Sequence, residues 1–259
     1  MSPSHSKKAV EVCAYSLESS RNAQIAGADR IELCASPYEG GTTPSMGLVR
    51  QVRAQVRIGL HVMIRPRGGD FCYDAAEWAV MEAEVAALRE SGVDGLVMGV
   101  LTPDGRVDVR RTRQFVAWAH PLPVTFHRAF DVTRDLDEAL DALLETGCRR
   151  ILTSGGTPTA PTGLRALARC AERAAGRIEI MAGSGVSAQA AAALLATGVD
   201  ALHLSARSRR ESAMTFRKEG IPMGGLAEVP EYGVEYADVD KIRAVVAEVR
   251  RCESERRIG

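Results

Sequence analysis

The chain has 259 residues, of which 46% are hydrophobic and 5% aromatic. Its 33 basic residues balance its 33 acidic residues, so no net charge draws the chain to nucleic acid or to an anionic membrane. This length exceeds that of most single domains, although α/β barrels routinely use about 250 residues as one domain. The composition is that of a soluble globular protein with a sizeable core.

Eight short apolar or β-branched runs follow one another along the chain. In chain order they are "AVEVC", "DRIELC", "GLHVMIR", "DGLVMGV", "LPVTFHR", "RRILTS", "RIEIMA" and "DALHLS". Each run is followed by a turn-like segment and most then by a helical pattern, which indicates repeated βα units and a parallel sheet. Eight such units in a chain of this length predict an α/β fold, a closed TIM-type (β/α)8 barrel, rather than an open sheet of five or six strands.

The segments between the strands predict one domain over residues 8–259. Helices stop at Gly27, Gly92, Gly147 and Gly198 before the next strand, and no Pro-, Gly- or Ser-rich linker separates the units. Residues 1–7 are expected to form a disordered tail. Residues 206–237, after the eighth strand, are too long for an ordinary connection and are interpreted as a functional loop, followed by a C-terminal helix.

The six cysteines show no C-x-x-C spacing, which disfavours a disulfide framework or a structural zinc site. They are Cys13, Cys34, Cys72, Cys148, Cys170 and Cys252. The first apolar run is too short for a signal peptide, and nowhere do about 18 apolar residues follow one another. We therefore predict a reduced, cytoplasmic protein without a membrane segment. Tyr232 and Tyr236 could serve a homo-oligomer contact or pack on their own barrel.

Side chains alternate along a strand, and the face that meets the helices must be apolar. The polar residues of each strand are therefore expected to point into the barrel. This set comprises Glu11, Cys13, Glu32, Cys34, His61, Met63, Arg65, Thr125, His127, Glu179, Met181, His203 and Ser205. Because isolated buried ions are costly, the carboxylates, histidines and arginine must form a network.

Residues at the carboxyl ends of barrel strands are the candidates for function. Arg65 begins the rim segment "RPRGGD", and His127 is followed directly by Arg128 and Asp131. The alternative is that Glu11, Glu32 and Glu179 are structural groups paired with His61, Arg65 or His203, and that His127 is a buried histidine bonded to the backbone.

Two glycine-rich loops follow strands six and seven, "LTSGGT" and "MAGSGVS". The second precedes a helix, so its backbone N–H groups are expected to point into the mouth and to favour a phosphate or carboxylate. The predicted anion site comprises Ser154, Gly183, Ser184, Gly185, Ser205 and Arg207. The alternative is that the glycines only permit tight turns.

Long motifs of the chain resemble the CutC family, named for copper homeostasis. They include "EVCAYSLESS", "GADRIELCASPYEGGTTPSMG", "VMIRPRGGDFCY", "LTPDGRVD", "LPVTFHRAFD", "RILTSGG" and "SARS". The resemblance implies a cytoplasmic single-domain barrel that binds copper through Cys13 and Cys34, with no established catalytic reaction. The loop after strand seven departs from the usual family pattern, with Ala182 in place of proline and Ser184 inside the loop.

Three functions are compatible with these residues. The first is Cu(I) binding by Cys13 and Cys34, because Cu(I) favours soft ligands and neighbouring strands lie about 4.8 Å apart. The second is a lyase or isomerase acting on a small anionic or phosphorylated metabolite, in which Glu11, Glu32 or His127 moves protons and Arg65 stabilises negative charge.

The third is a ligand sensor or oligomeric scaffold without chemistry. No lysine lies in the strand runs, which disfavours a Schiff-base aldolase, and no organic cofactor is indicated. The expected partner is a copper ion or a small anionic molecule.

Overall fold

The computed structural model of the chain describes residues 7–218, 220–221 and 229–258. Within these ranges eight parallel strands close into a barrel in chain order, β1 beside β8. The strands are β1 (Ala9–Ala14), β2 (Arg30–Leu33), β3 (Gly59–Met63), β4 (Gly95–Met98), β5 (Val124–Phe126), β6 (Arg150–Thr153), β7 (Glu179–Gly183) and β8 (Ala201–Leu204). The (β/α)8 barrel predicted from the sequence is confirmed.

Helices occupy the outside of the barrel. They are α1 (Leu17–Ile25), α2 (Met46–Gln55), α3 (Ala75–Arg89), α4 (Val109–Ala119), α5 (Leu136–Leu144), α6 (Leu164–Ala174), α7 (Ala188–Ala196) and α8 (Val239–Ile258). Three short 3-10 helices, Pro37–Glu39, Arg128–Val132 and Ala160–Thr162, follow β2, β5 and β6. Asp74 and Glu77 form the capping box that begins α3. Within the described part of the chain, none of the helices has the length and apolarity to cross a membrane.

The segment predicted as a long loop after β8 contains a β-hairpin. Strand β9 (Arg207–Glu211) pairs antiparallel with β10 (Gly233–Ala237), and residues 219 and 222–228 between them lie outside the described residues. Tyr232 and Tyr236 contact the guanidinium groups of Arg217 and Arg210 of their own chain. Of the predicted tail, residues 1–6 lie outside the described part, and the Lys7 side chain pairs with Asp29.

The apolar core lies between the strands and the helices. Outward residues of the strands, such as Val12, Ile31, Leu60 and Phe126, are fully buried in one continuous cluster. Burial of each such side chain contributes about 1.5–3 kcal/mol to folding. This outer core carries the stability of the fold, so the inner faces of the same strands can hold charged and sulfur-containing residues.

Candidate functional site

The inner faces of the strands bring the predicted metal and acid–base residues together. These residues are Glu11, Cys13, Glu32, Cys34, Arg65 and His127, each less than a tenth exposed. The register sets their heights, because Cys13 on β1 is level with Glu32 on β2, and Glu11 is level with His203 on β8. The carboxyl ends of β1, β2, β3, β5 and β8 therefore meet in one polar interior beneath the barrel mouth.

Two thiols lie side by side on neighbouring strands. The Sγ atoms of Cys13 and Cys34 are 3.9 Å apart, far beyond the roughly 2.05 Å of a disulfide bond. Both cysteines are free and buried, and Met63 and Val97 pack against the pair. The Sγ atom of Cys34 also lies 3.5 Å from Oε2 of Glu32. The structure thus presents two sulfur ligands close enough to share one ion.

A charged network lies directly below the thiols. Glu11 shares a hydrogen bond with Nδ1 of His203 at 2.8 Å, and its second carboxylate oxygen pairs with Nε of Arg30 at 2.5 Å. Nδ1 of His61 is 3.8 Å from the same carboxylate. Burial opposes the charge on Glu11, but Arg30 and His203 outweigh it and hold the pKa of this carboxyl well below its usual range. Glu11 is therefore an ionised group enclosed by cations.

His203 connects this network to the thiols. Its Nε2 atom is 3.7 Å from Oε2 of Glu32, and ligand atoms of Cys13, Glu32 and His203 all lie within 4.8 Å of one another. Burial disfavours the imidazolium, yet the carboxylates of Glu32 and Glu11 and the sulfur of Cys13 raise the pKa of His203 well above its usual value. A cationic imidazole therefore stands beside Cys13 at neutral pH.

The two thiols differ in acidity. Hydrogen bonding to Cys34, together with His203, holds the pKa of Cys13 well below the usual thiol value, in spite of burial. Burial raises the pKa of Cys34, and the neighbouring Cys13 and Glu32 raise it further. Burial also raises the pKa of Glu32 well above its usual value. Cys13 is thus the more acidic thiol of the pair, and Glu32 holds its proton more tightly than an ordinary carboxyl.

Two cavities open onto this cluster. The first, of about 300 Å³, is lined by Cys13, Glu32, His203, Arg65 and His127, among others. The second, of about 340 Å³, lies between the strand ends and the β9–β10 hairpin. Cys13 and Tyr15 line both cavities, so Cys13 can be reached from either side.

Arg65 is buried and holds the rim of the mouth in place. Its Nη1 donates to the carbonyl oxygens of Glu39 at 2.6 Å and Gly41 at 3.0 Å, and its Nη2 donates to that of Gly69 at 2.7 Å. The guanidinium carbon lies 4.8 Å from the centre of the Phe71 ring. Nε of Arg65 is buried and has no acceptor among the described residues. The acceptors of its two Nη atoms among the described residues are neutral carbonyl oxygens, and the Tyr73 hydroxyl also interacts with the guanidinium.

His127 is held as a neutral imidazole. Its Nδ1 accepts the backbone N–H of Ala129 at 3.1 Å, which leaves the ring hydrogen on Nε2. Burial, with the charge of Arg65, lowers the pKa of His127 to about 3. The ring lies over Gly99, where an added Cβ would come within 2.4 Å of Cε1. Gly95 gives the same room to His61, so the glycines of the fourth strand run make space for two imidazole rings.

The donors of the loop after β6 hold an internal carboxylate. Asp131 accepts hydrogen bonds from the backbone N–H groups of Ser154 and Gly156, each at 3.0 Å, and from the hydroxyls of Ser154 and Thr153. Arg128 pairs with the same carboxylate at 2.7 Å. The anion that Ser154 contacts in this structure is therefore the side chain of Asp131.

The other predicted anion-binding residues fall into two separate places. Ser205 and Arg207 line the second cavity, where the guanidinium of Arg207 lies between the rings of Tyr15 and Tyr38. The loop of Gly183, Ser184 and Gly185 packs instead against the segment after β6. There the hydroxyl of Ser184 donates to the carbonyl of Pro158, and a Cβ on Gly185 would meet Thr159 at 2.9 Å. The structure does not bring these five residues into one cluster.

Two interior arginines were missed from the sequence. Arg30 pairs with Glu11, and Arg150 donates to Thr125 at 3.0 Å and pairs with Glu179 at 2.6 Å. Both begin a strand, at positions that alternation places on the inner face with Glu32 and Leu152. If the alternation of inward and outward side chains is extended to the first residue of each strand, it places both arginines on the inner face.

Comparisons with known proteins identify the family. Residues 8–208 match the model of the CutC family. A CutC family protein of Chromobacterium violaceum is 46% identical over 92% of this chain and 96% of its own length. The human copper homeostasis protein CutC homologue is also 46% identical, over 92% of this chain and 88% of its own. A crystal structure of a CutC protein from Streptococcus agalactiae superposes with a TM-score of 0.73 at 34% identity, over 76% of this chain and 98% of the other. The chain belongs to the CutC family.

Proposed function

We propose that this protein is a cytoplasmic copper homeostasis protein that binds Cu(I) through Cys13 and Cys34. The observation that carries the proposal is the pair of Sγ atoms 3.9 Å apart, with His203 beside them. Cu(I) prefers soft thiolate and thioether ligands, and the pair supplies two sulfurs with Met63 packed against it. The name of the human relative supports the same function.

The surroundings of the pair favour a bound monovalent cation. Cys13 is held as a thiolate by Cys34 and His203, so one ligand is already deprotonated at neutral pH. A Cu(I) ion would have to displace the proton of Cys34, whose pKa is raised by burial. Arg30 and His203 then offset the negative charge of Glu11 and the two sulfurs. The copper ion is cargo in this proposal, and it can reach Cys13 from either cavity.

A competition titration tests this proposal. Reduced protein is titrated with Cu(I) against a chromophoric Cu(I) chelator, and the same is done for Cys13→Ser, Cys34→Ser and Cys148→Ser. Cys148 is a buried free cysteine outside the barrel mouth, so its variant is the matched control. We expect one tightly held ion per chain in the wild type and in Cys148→Ser, and none that competes with the chelator in either of the other variants. Equal copper binding by all four proteins would refute the proposal, and a parallel titration with Zn²⁺ tests metal selectivity.

A second candidate function is acid–base catalysis on a small anionic metabolite, of the lyase or isomerase type. The observation that favours it is that Glu32, whose pKa is raised, and Cys13, whose pKa is lowered, line one cavity together with Arg65 and His127. Glu11 pairs with Arg30 and shares a hydrogen bond with His203. It would therefore stabilise the charges of these two residues rather than transfer a proton to the metabolite.

Proton exchange in D₂O tests this candidate without knowledge of the metabolite. Copper-free protein is incubated with small hydroxy and keto acids, and the loss of the C–H signal next to the carbonyl is followed by NMR. Exchange that the wild type catalyses and Glu32→Gln does not would support the candidate. No exchange above the rate of a buffer blank with any of these acids counts against it.

A further inference from the structure

One buried cation of the mouth lacks an anionic partner. Arg65 is 4% exposed, and no carboxylate of a described residue forms an ion pair with it. Its Nη atoms donate to three backbone carbonyls, while Nε has no acceptor in the part of the chain that the structure describes. A buried guanidinium with only neutral partners is electrostatically favourable for a ligand of negative charge. Arg65 is one of the residues that line the first cavity, so a molecule in that cavity lies against its side chain.

A second free donor lines the same cavity. His127 is 4% exposed, and its Nε2, which carries the ring hydrogen, has no acceptor among the described residues. Phe71 packs against both groups, with its ring centre 4.9 Å from that of His127 and 4.8 Å from Cζ of Arg65. The backbone N–H of Ala129 holds the ring of His127 in place, and three backbone carbonyls hold the guanidinium of Arg65. We call Nε–H of Arg65 and Nε2–H of His127 the donor pair.

We propose that the donor pair binds the carboxylate of a small organic acid, whose remaining atoms extend across the first cavity towards Cys13 and Glu32. A charged donor and a neutral donor beside the same Phe71 ring suit the two oxygens of a carboxylate. The cavity, of about 300 Å³, admits an acid of a few carbon atoms. This inference deepens the second candidate function, but binding requires no turnover.

A carboxylate fits better than a phosphate because the backbone N–H groups of the two glycine-rich loops are not available in this cavity. The N–H groups of Ser154 and Gly156 in the loop after β6 donate to Asp131. The glycine loop after β7 contacts Pro158 and Thr159 and does not line the first cavity. Besides the donor pair, this cavity is lined by Arg128, whose guanidinium already pairs with Asp131. Side-chain donors without a backbone loop match a carboxylate rather than the larger donor set of a phosphate.

Ligand-observed NMR and calorimetry test the inference on copper-free, reduced protein. The probes are pyruvate and glycolate, with inorganic phosphate as the alternative anion and propane-1,2-diol as the uncharged control. We expect both acids to saturate the wild type with a dissociation constant of about 1 mM, which is typical for so few atoms. His127→Phe should weaken binding about tenfold, because it removes one hydrogen bond to a charged group while it keeps an aromatic ring over Gly99.

Arg67→Ala is the matched control, because it removes a rim arginine that does not line the first cavity. It should leave the affinity within about twofold. If His127→Phe does not fold, the ¹⁵N shift of His127 Nε2 in the wild type replaces it, and it should move on addition of pyruvate. Three results would each overturn the inference. The first is that neither acid saturates the wild type, and the second is that phosphate or the diol binds more tightly than the acids. The third is that His127→Phe keeps the wild-type affinity and the Nε2 signal of the wild type does not move. If the acids bind but undergo no proton exchange, the inference of carboxylate binding is supported and only the catalytic candidate is rejected.

Discussion

The Nδ1 atom of His203 lies 2.8 Å from Oε1 of Glu11, across the closure of the barrel between its first and last strands. This contact joins residues 192 positions apart and orients the imidazole so that its Nε2 faces Glu32. The carboxylate of Glu11 therefore acts on Cys13 through His203, although no hydrogen bond joins the two side chains. The ionisation of the thiol pair depends on a residue one layer deeper in the barrel.

Glu11→Gln should destabilise the fold by about 3–5 kcal/mol, because it leaves the buried cations Arg30 and His203 without their counter-ion. Urea unfolding at pH 7 measures the change. The control is Glu145→Gln, which breaks the exposed pair with Arg113 and should cost less than about 1 kcal/mol. A loss below about 1 kcal/mol for Glu11→Gln would mean that the network is not charged in the fold.

Cys13 should react with iodoacetamide before any of the other buried cysteines. Its pKa lies below the usual value, whereas burial raises the pKa of Cys34 and raises that of Cys148 to about 11. Peptide mass spectrometry across a pH series gives the midpoint of each reaction. In His203→Gln the midpoint for Cys13 should move upward by about one pH unit or more, since the neighbouring cation is lost. Modification of Cys34 ahead of Cys13 would contradict this assignment of the thiolate.

His127 should contribute a loss of stability as the pH falls from 7 to 5, opposite in sign to the contributions of Glu32 and His203, whose pKa values are raised. The ordinary histidine pKa of 6.5 drops to about 3 in the fold, so the unfolded chain binds an additional proton below pH 6.5. Over this range the effect on the free energy of unfolding is about 2 kcal/mol. His127→Gln should change the pH dependence by that amount, while the exposed control His120→Gln should not. Equal slopes in the wild type and His127→Gln would show that His127 is not buried in its neutral form.

Gly99→Ala should destabilise the protein by about 1–3 kcal/mol, because the new methyl group would lie 2.4 Å from Cε1 of His127. Chemical denaturation measures the loss, and the ¹⁵N shifts of His127 report the displaced ring. Gly47→Ala is the control, since it lies in α2 with Ser45 Oγ as its nearest neighbour, at 3.8 Å. That substitution should be neutral or stabilising by up to about 1 kcal/mol. Equal stability of both variants would mean that the ring does not rest on Gly99.

Asp131→Asn should loosen the loop after β6. The substitution removes the charge that holds two backbone N–H groups and two hydroxyls. It should lower the free energy of unfolding by about 2–3 kcal/mol. Hydrogen exchange at Ser154 and Gly156 should become faster. Asp141→Asn breaks only the exposed pair with Arg173. It should leave the exchange of both amides unchanged and alter the free energy of unfolding by less than about 1 kcal/mol. Unchanged exchange at both amides would indicate that the loop is held by other contacts.

The strands and the residues inside them follow from local rules of the sequence. Eight apolar runs predicted the barrel, and alternation along each run placed Glu11, Cys13, Glu32 and Cys34 on the inner face. The same rule covers Arg30, which escapes notice only when the count stops short of the first residue of its strand. Period-two patterning works here because a barrel strand has just two environments, one on each face.

The loops could not be predicted in the same way. The partner of Ser154 is Asp131, 23 positions away, and the meeting of two loops has no periodicity in the sequence. The sequence groups Arg207 with Gly183 to Gly185 because all follow neighbouring strands. In the structure Arg207 begins β9 and faces Tyr15 and Tyr38, because pairing with β10 carries the chain into a hairpin. Which donors remain available at the mouth depends on these contacts between loops.

Cys13 belongs to the walls of both cavities. A metal ion on its sulfur alters the charge that any molecule in the first cavity meets, and such a molecule alters the electrostatic field around the ion. Thermodynamic coupling between two sites is reciprocal, so each occupant must change the affinity of the other by the same factor. If this protein binds both copper and a small acid, as proposed, an affinity for copper measured on it will depend on the acids present in the buffer, and such acids will act as effectors of metal release.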